Sequence, residues 1–186
     1  MFEKIISSIS AGLESSNIPY MLIGGQAVLL YGEPRLTRDI DITLGVDIDK
    51  LGSIIALANN LELKILPEKI EEFVSKTMVL PVINEETGIR IDFIFSFSSY
   101  ECQAIARAKK VRLLDKDVFF ASPEDLIIHK IVAGRARDIE DVRSIILKIT
   151  NLDLAYIRQW LNDFSSASGE DDIKERFEKI METLQL

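Results

Sequence analysis

Phe2, Ile5, Ile6, Ile9 and Leu13 recur at intervals of three and four, the spacing of one helical face, and predict an amphipathic helix over residues 2–16. Asn17-Ile18-Pro19 ends it. Tyr20 to Ile23 reads as a short buried strand, and Gln26 to Tyr31 as a helix that stops near Gly32. After the Glu33-Pro34 loop, polar and apolar residues alternate through Asp39-Ile40-Asp41-Ile42-Thr43-Leu44, the period of a half-buried strand. Residues 47–60 predict a helix with Ile48, Leu51, Ile55 and Ala58 on one stripe. Leu61 to Leu66 fits neither period, and Pro67 to Lys76 predicts a short helix. Met78 to Ile83 and Ile89 to Ser96 predict two strands joined by the turn Glu85-Glu86-Thr87-Gly88. In the second of these, Ile89, Ile91, Phe93 and Phe95 face one way, and Arg90, Asp92 and Ile94 the other.

A helix over residues 98–108 and a hairpin through Asp115-Lys116-Asp117 follow. From Ser122 the pattern is wholly helical. Ser122-Pro123-Glu124-Asp125 caps a helix that Gly134 ends, residues 138–149 form the next, and two more cover roughly 153–164 and 171–184. Ser165-Ser166-Ala167-Ser168-Gly169 is the most linker-like stretch. The expected architecture is α/β, a small mixed sheet with flanking helices over residues 1–121 and a C-terminal helical segment over 122–186 packed on it.

Composition narrows this picture. With 186 residues, 47% of them hydrophobic, the chain suits one domain with a helical appendage. No apolar run approaches the roughly 20 residues of a membrane span, and the N-terminus lacks a signal-peptide pattern. A single cysteine, Cys102, excludes an internal disulfide and a cysteine-based zinc cluster, and reads as a small core residue. A cytoplasmic location is expected. The net charge of −8 argues against a broad nucleic-acid-binding face while leaving room for a local basic site.

The candidate chemistry lies in two neighbouring texts. Asp39 and Asp41 are two residues apart in a strand, so both carboxylates face one way, an arrangement that costs free energy unless a cation joins them. Mg²⁺, or Mn²⁺, suits such hard oxygen donors and is commonly shared with substrate phosphates. Gly24 and Gly25, just before a helix, let a phosphate approach bare backbone amides. Arg35 and Arg38 flank the acidic pair and are further candidates for phosphate contact.

Ile23-Gly24-Gly25, a gap of thirteen residues and Asp39-Ile40-Asp41 together resemble the signature of the minimal nucleotidyltransferases of the DNA polymerase β superfamily. The longer string GGQAVLLYGEPRLTRDID is most similar to the abortive-infection (AbiEii-like) toxins and their relatives. The resemblance implies that Asp92 is a third metal ligand beside Asp39 and Asp41, although Arg90, on the same face, can also pair with it. It implies that Lys130, Arg135, Arg137, Asp138 and Asp141 form a second motif, in which Lys130 and Arg137 neutralise triphosphate charge while Asp138 and Asp141 orient them or position the acceptor hydroxyl. Asp138 is equally well placed as a helix N-terminal acid.

The expected activity is metal-dependent transfer of a nucleoside monophosphate from a nucleoside triphosphate to an acceptor hydroxyl, with Asp39, Asp41, Asp92 and Lys130 catalytic and pyrophosphate leaving. The acceptor is unassigned: an RNA end, a protein side chain or a small molecule. Two alternatives stay open, a nucleotide- or metal-binding regulator without turnover, and an interaction module of a toxin–antitoxin pair. An antitoxin-like protein or a second copy of the chain is the expected protein partner.

Overall fold

The computed structural model describes residues 1–96, 98–169 and 172–185. Its elements are α1 (Phe2–Ser15), β1 (Tyr20–Ile23), α2 (Gly24–Tyr31), β2 (Asp39–Leu44), a 3₁₀ turn (Ile48–Lys50), α3 (Leu51–Asn60), β3 (Lys64–Ile65), α4 (Ile70–Thr77), β4 (Val79–Asn84), β5 (Ile89–Phe95), α5 (Ser99–Ala106), β6 (Lys109–Leu113), β7 (Lys116–Phe120), α6 (Pro123–Ala133), α7 (Ala136–Lys148), α8 (Leu154–Ser168) and α9 (Asp172–Leu184). This is the mixed α/β architecture expected from the alternation of strand and helix patterns. The chain groups into two compact units, Met1–Gln26 with Leu36–Ala121, and Ala27–Arg35 with Ser122–Leu186.

The first unit is built on a seven-stranded mixed sheet in the order β3-β4-β5-β2-β1-β7-β6. Its centre is β2, antiparallel to β1 and parallel to β5. The β2–β5 register sets Ile40 opposite Ile91, Ile42 opposite Phe93 and Leu44 opposite Phe95. All six are buried, so one face of the sheet is a continuous apolar layer. The alternate positions of the same strands form the opposite face, and there the charges lie. Helix α1 packs against β7, buries Ile6, Ile9 and Leu13, and donates the Ser7 hydroxyl to the carbonyl of Leu113 at 3.3 Å.

In the second unit α6 packs against α7, α8 and α9. The predicted cap is formed: the Ser122 hydroxyl accepts from the Asp125 amide at 3.1 Å, Pro123 opens α6, and Gly134 closes it at φ +63°. Asp125 is fully buried and accepts from Ser122 Oγ at 2.6 Å and Tyr156 Oη at 2.8 Å. The segment Ala27–Arg35 joins this unit through α7. Lys148 Nζ donates to the Gly32 carbonyl at 2.7 Å, and the Glu33 amide donates to Ser144 Oγ at 3.2 Å.

Three expectations need correction. The stretch 165–169 is not a linker but the last turn of α8, closed by Gly169 at φ +71°. Ser166 and Ser168 donate to the carbonyls of Asn162 and Phe164, each at 2.9 Å, so these small polar residues are satisfied within the helix. Cys102 is exposed rather than in the core, because α5 buries the Tyr100–Ala104 side and Cys102 lies on the opposite one. The buried stripe of α3 is Ile54, Leu57 and Ala58, since the 3₁₀ turn before it breaks the phase that Ile48 and Leu51 suggested. The ambiguous stretch at 61–66 contains a two-residue edge strand, β3. No described helix is long and apolar enough to cross a membrane.

Candidate functional site

Parallel pairing of β2 with β5 sets Asp39 opposite Arg90 and Asp41 opposite Asp92. Strands lie about 4.8 Å apart and alternate residues about 6.6 Å apart along each, so the four side chains stand at the corners of a small rectangle on one face. Three corners are carboxylates and one is a guanidinium. Asp39 is exposed, while Asp41 and Asp92 are half-buried. Arg90 Nε donates to Asp92 Oδ1 at 2.8 Å. The guanidinium is held above its usual pKa, chiefly by that hydrogen bond, which burial opposes, and further by the charges of Asp92, Asp39 and Asp41. The three acids therefore act on one cation together.

The glycines fit against this rectangle from the β1 side. Ile23, the last residue of β1, pairs with Asp41, and the next residue, Gly24, turns at φ +64° into α2. A Cβ on Gly24 would collide with the Asp41 carboxylate, its Cγ only 2.8 Å away. A Cβ on Gly25 would sit 2.7 Å from the Cβ of Thr37. The glycine pair is thus required by the approach of the acidic strand as well as by the sharp entry into the helix. Gln26, one residue further, is buried with its Nε2 unpartnered among the described residues.

Among the described residues no three His, Cys, Asp or Glu side chains already stand together as a ligand set. The donor chemistry nevertheless fits a hard divalent cation. Asp39, Asp41 and Asp92 offer only oxygen, share one face of two neighbouring strands, and already draw a positive group into their common field.

The second predicted motif comes together inside the second unit. Lys130, 7% exposed, donates to Asp138 at 2.7 Å and forms an ion pair with Asp141 at 2.9 Å. Arg35 grips Asp141 with two parallel bonds of 2.8 and 2.9 Å, and Arg135 Nε donates to Asp138 at 2.6 Å. The result is a chain, Arg35–Asp141–Lys130–Asp138–Arg135, with three cations on two anions. Burial pushes both carboxyls up, but the hydrogen bonds from Arg135 and Lys130 to Asp138, and from Arg35 and Lys130 to Asp141, outweigh it and hold both below the usual range. Lys130 is therefore an anchor for α7, its charge matched by two acids. Arg35 faces Asp141, and Arg38 and Arg137 are exposed. His129 is half-buried, and the desolvation of its ring pushes its pKa down to about 4, so it is a neutral packing residue rather than a base.

Sequence reasoning singled out the acids, the glycines and the second motif. It missed that Arg90 lies opposite Asp39 and completes the rectangle. The signal was the alternation Arg90-x-Asp92, but only the parallel register with β2 gives it meaning.

The chain belongs to the family described as nucleotidyltransferases of unknown function (DUF6036), whose model matches residues 2–184. No curated protein matches. Among solved structures, an antigenic nucleotidyltransferase-like protein from Paracoccidioides brasiliensis is similar at 19% identity over 89% of this chain and 90% of that one, TM-score 0.57. The antibiotic-resistance factor ANT(2'')-Ia is similar at 16% identity over 90% and 94%, TM-score 0.61. The lincosamide antibiotic adenylyltransferase LnuA, with lincomycin bound, is similar at 18% identity over 72% and 89%, TM-score 0.50. These likenesses show the shared fold.

Proposed function

We propose that the protein transfers a nucleoside monophosphate from a nucleoside triphosphate to an acceptor hydroxyl in a metal-dependent reaction, with the acidic face of β2 and β5 as the reacting centre. The observation that carries this reading is the register that sets Asp41 beside Asp92 and against Gly24. The acceptor oxygen bonds to the α-phosphorus, the bond from that phosphorus to the bridging oxygen breaks, and pyrophosphate carries away the electron pair. The proton of the hydroxyl passes to a carboxylate or to water. Asp39, Asp41 and Asp92 would hold Mg²⁺ or Mn²⁺, which when bound screens the charge developing on the phosphates. Gly24, Gly25 and the N-terminus of α2 offer backbone amides to the outer phosphates.

The second motif is organised within its own unit. Lys130 bonds Asp138 and Asp141, which hold Arg135 and Arg35, so three cations meet two acids there. Arg38 and Arg137, both exposed, remain candidates for phosphate contact. The similarity of residues 24–41 to AbiEii-like toxins supports a toxin–antitoxin setting with a protein partner, in the cytoplasm where nucleotides are available. The net charge of −8 favours a small or cationic acceptor over an RNA end.

Thermal melting with each nucleoside triphosphate, with and without Mg²⁺ or Mn²⁺, tests the reading on wild type and Asp41→Asn. A triphosphate at one hundred times its dissociation constant stabilises by about 2.7 kcal/mol. A metal-dependent shift lost in Asp41→Asn is expected, followed by pyrophosphate release in an acceptor screen of tRNA, polyhydroxylated antibiotics and proteins. No shift with any triphosphate in folded protein would sink it.

A further inference from the structure

Four charged side chains share the acidic face, and the proposed chemistry employs only three. Arg90 pairs laterally with Asp39 across the parallel ladder and bonds Asp92 on its own strand. Asp41 stands opposite Asp92 in the same register, so all three acids border the guanidinium's face. At 49% exposure, against 20% for Asp92, it is the member of the pair with room to move. An exposed ion pair is worth little by itself, so a divalent ion can displace it.

We propose that Arg90 is a built-in counter-cation that occupies the field of Asp39, Asp41 and Asp92 and competes with the divalent metal for them. The proposal rests on the metal-dependent reading above. With the metal absent, the guanidinium offsets the repulsion of three neighbouring carboxylates. When a divalent ion arrives, Asp92 must exchange one cation for the other and Arg90 must swing off the face. Two consequences follow for binding. Affinity for the metal is set below what three carboxylates alone would give. The released guanidinium also becomes a donor near the phosphates that arrive with the metal.

The test is calorimetric titration of Mn²⁺ alone into wild type, Arg90→Gln and Asp41→Asn, each also melted in a chelator. Gln keeps a polar side chain of similar length and removes only the charge. Arg90→Gln is expected to bind Mn²⁺ roughly three- to tenfold more tightly, as removal of a unit charge a few ångströms from a dication implies. In chelator it should melt below wild type, with the order restored or reversed at saturating Mn²⁺. Mn²⁺ affinity equal to or weaker than wild type would overturn the proposal. A merely structural Arg90 would lower the melting temperature without changing Mn²⁺ affinity, and that also overturns it. If neither wild type nor Arg90→Gln binds Mn²⁺, the metal-dependent reading itself fails, a result distinct from equal binding by both.

Discussion

Gly24 shows how one missing side chain decides the acidic face. Its backbone lies in the left-handed region and its bare Cα abuts the Asp41 carboxylate, so any larger residue is strained and displaces a proposed ligand. Gly24→Ala is expected to cost about 1–2 kcal/mol of stability and to abolish the metal-dependent triphosphate shift. Melts with and without Mn²⁺ check both effects, and a retained shift would show that Asp41 tolerates the displacement. His129 makes a separate residue-scale prediction. In the unfolded chain it takes up a proton near its ordinary value of about 6.5, whereas in the folded protein burial delays this to about 4. Its contribution is complete above the unfolded value and is lost as pH falls through the window from about 6.5 to 4, amounting to about 3 kcal/mol. Urea unfolding across that window should show stability falling with pH, and His129→Leu should flatten the slope. The depressed carboxyls of Asp138 and Asp141 act in another window, since theirs is present above the unfolded carboxylate value and is lost only as pH falls below it.

At the scale of elements, the buried charge chain ties α6 to α7 and both to the segment before Arg35. Removal of one partner from a buried pair leaves an uncompensated charge, so Lys130→Met is expected to destabilise by about 3 kcal/mol. Lys130→Met combined with Asp138→Asn and Asp141→Asn should recover part of that loss, which denaturant melts of the single and combined variants would measure. Elements were legible in the sequence where local chemistry forces them. Ser122, Pro123 and Gly134 gave both ends of α6, and the alternation of β2 and β5 gave both faces of the central strands. Where the outcome depends on non-local partners the sequence was silent. Nothing local says that 165–168 continues a helix, because the buried hydroxyl of Ser165 meets the Lys174 amide only once α9 is in place. Nor does anything local say that Arg90 faces Asp39, because that is a property of two strands about fifty residues apart.

At the scale of the molecule, the two units are interleaved along the chain. Tyr20–Ile23 and Lys116–Phe120 are neighbours in one sheet, and Ala27–Arg35, between them in sequence, belongs with α7. The whole-chain match of the family model, over residues 2–184, takes in both units. This interleaving also governs the order in which a growing chain can become structured. A ribosome delivering the protein from its N-terminus can release the β1–β2 and β4–β5 pairs early. The sheet stays open at β1 until Phe120 has emerged, and Arg35 waits for Asp141 through more than one hundred further residues. Loop closure of that length comes late and slowly. Pulsed hydrogen exchange during refolding should therefore show amides of β2 and β5 protected first, and those of β7 and residues 32–35 last. Simultaneous protection of all of them would mean that the interleaved segments find their partners in a single step. Until that closure, the segment between the glycine turn and the acidic strand is a nascent chain with its partners still unsynthesised, the interval in which a chaperone or a cognate protein would meet it.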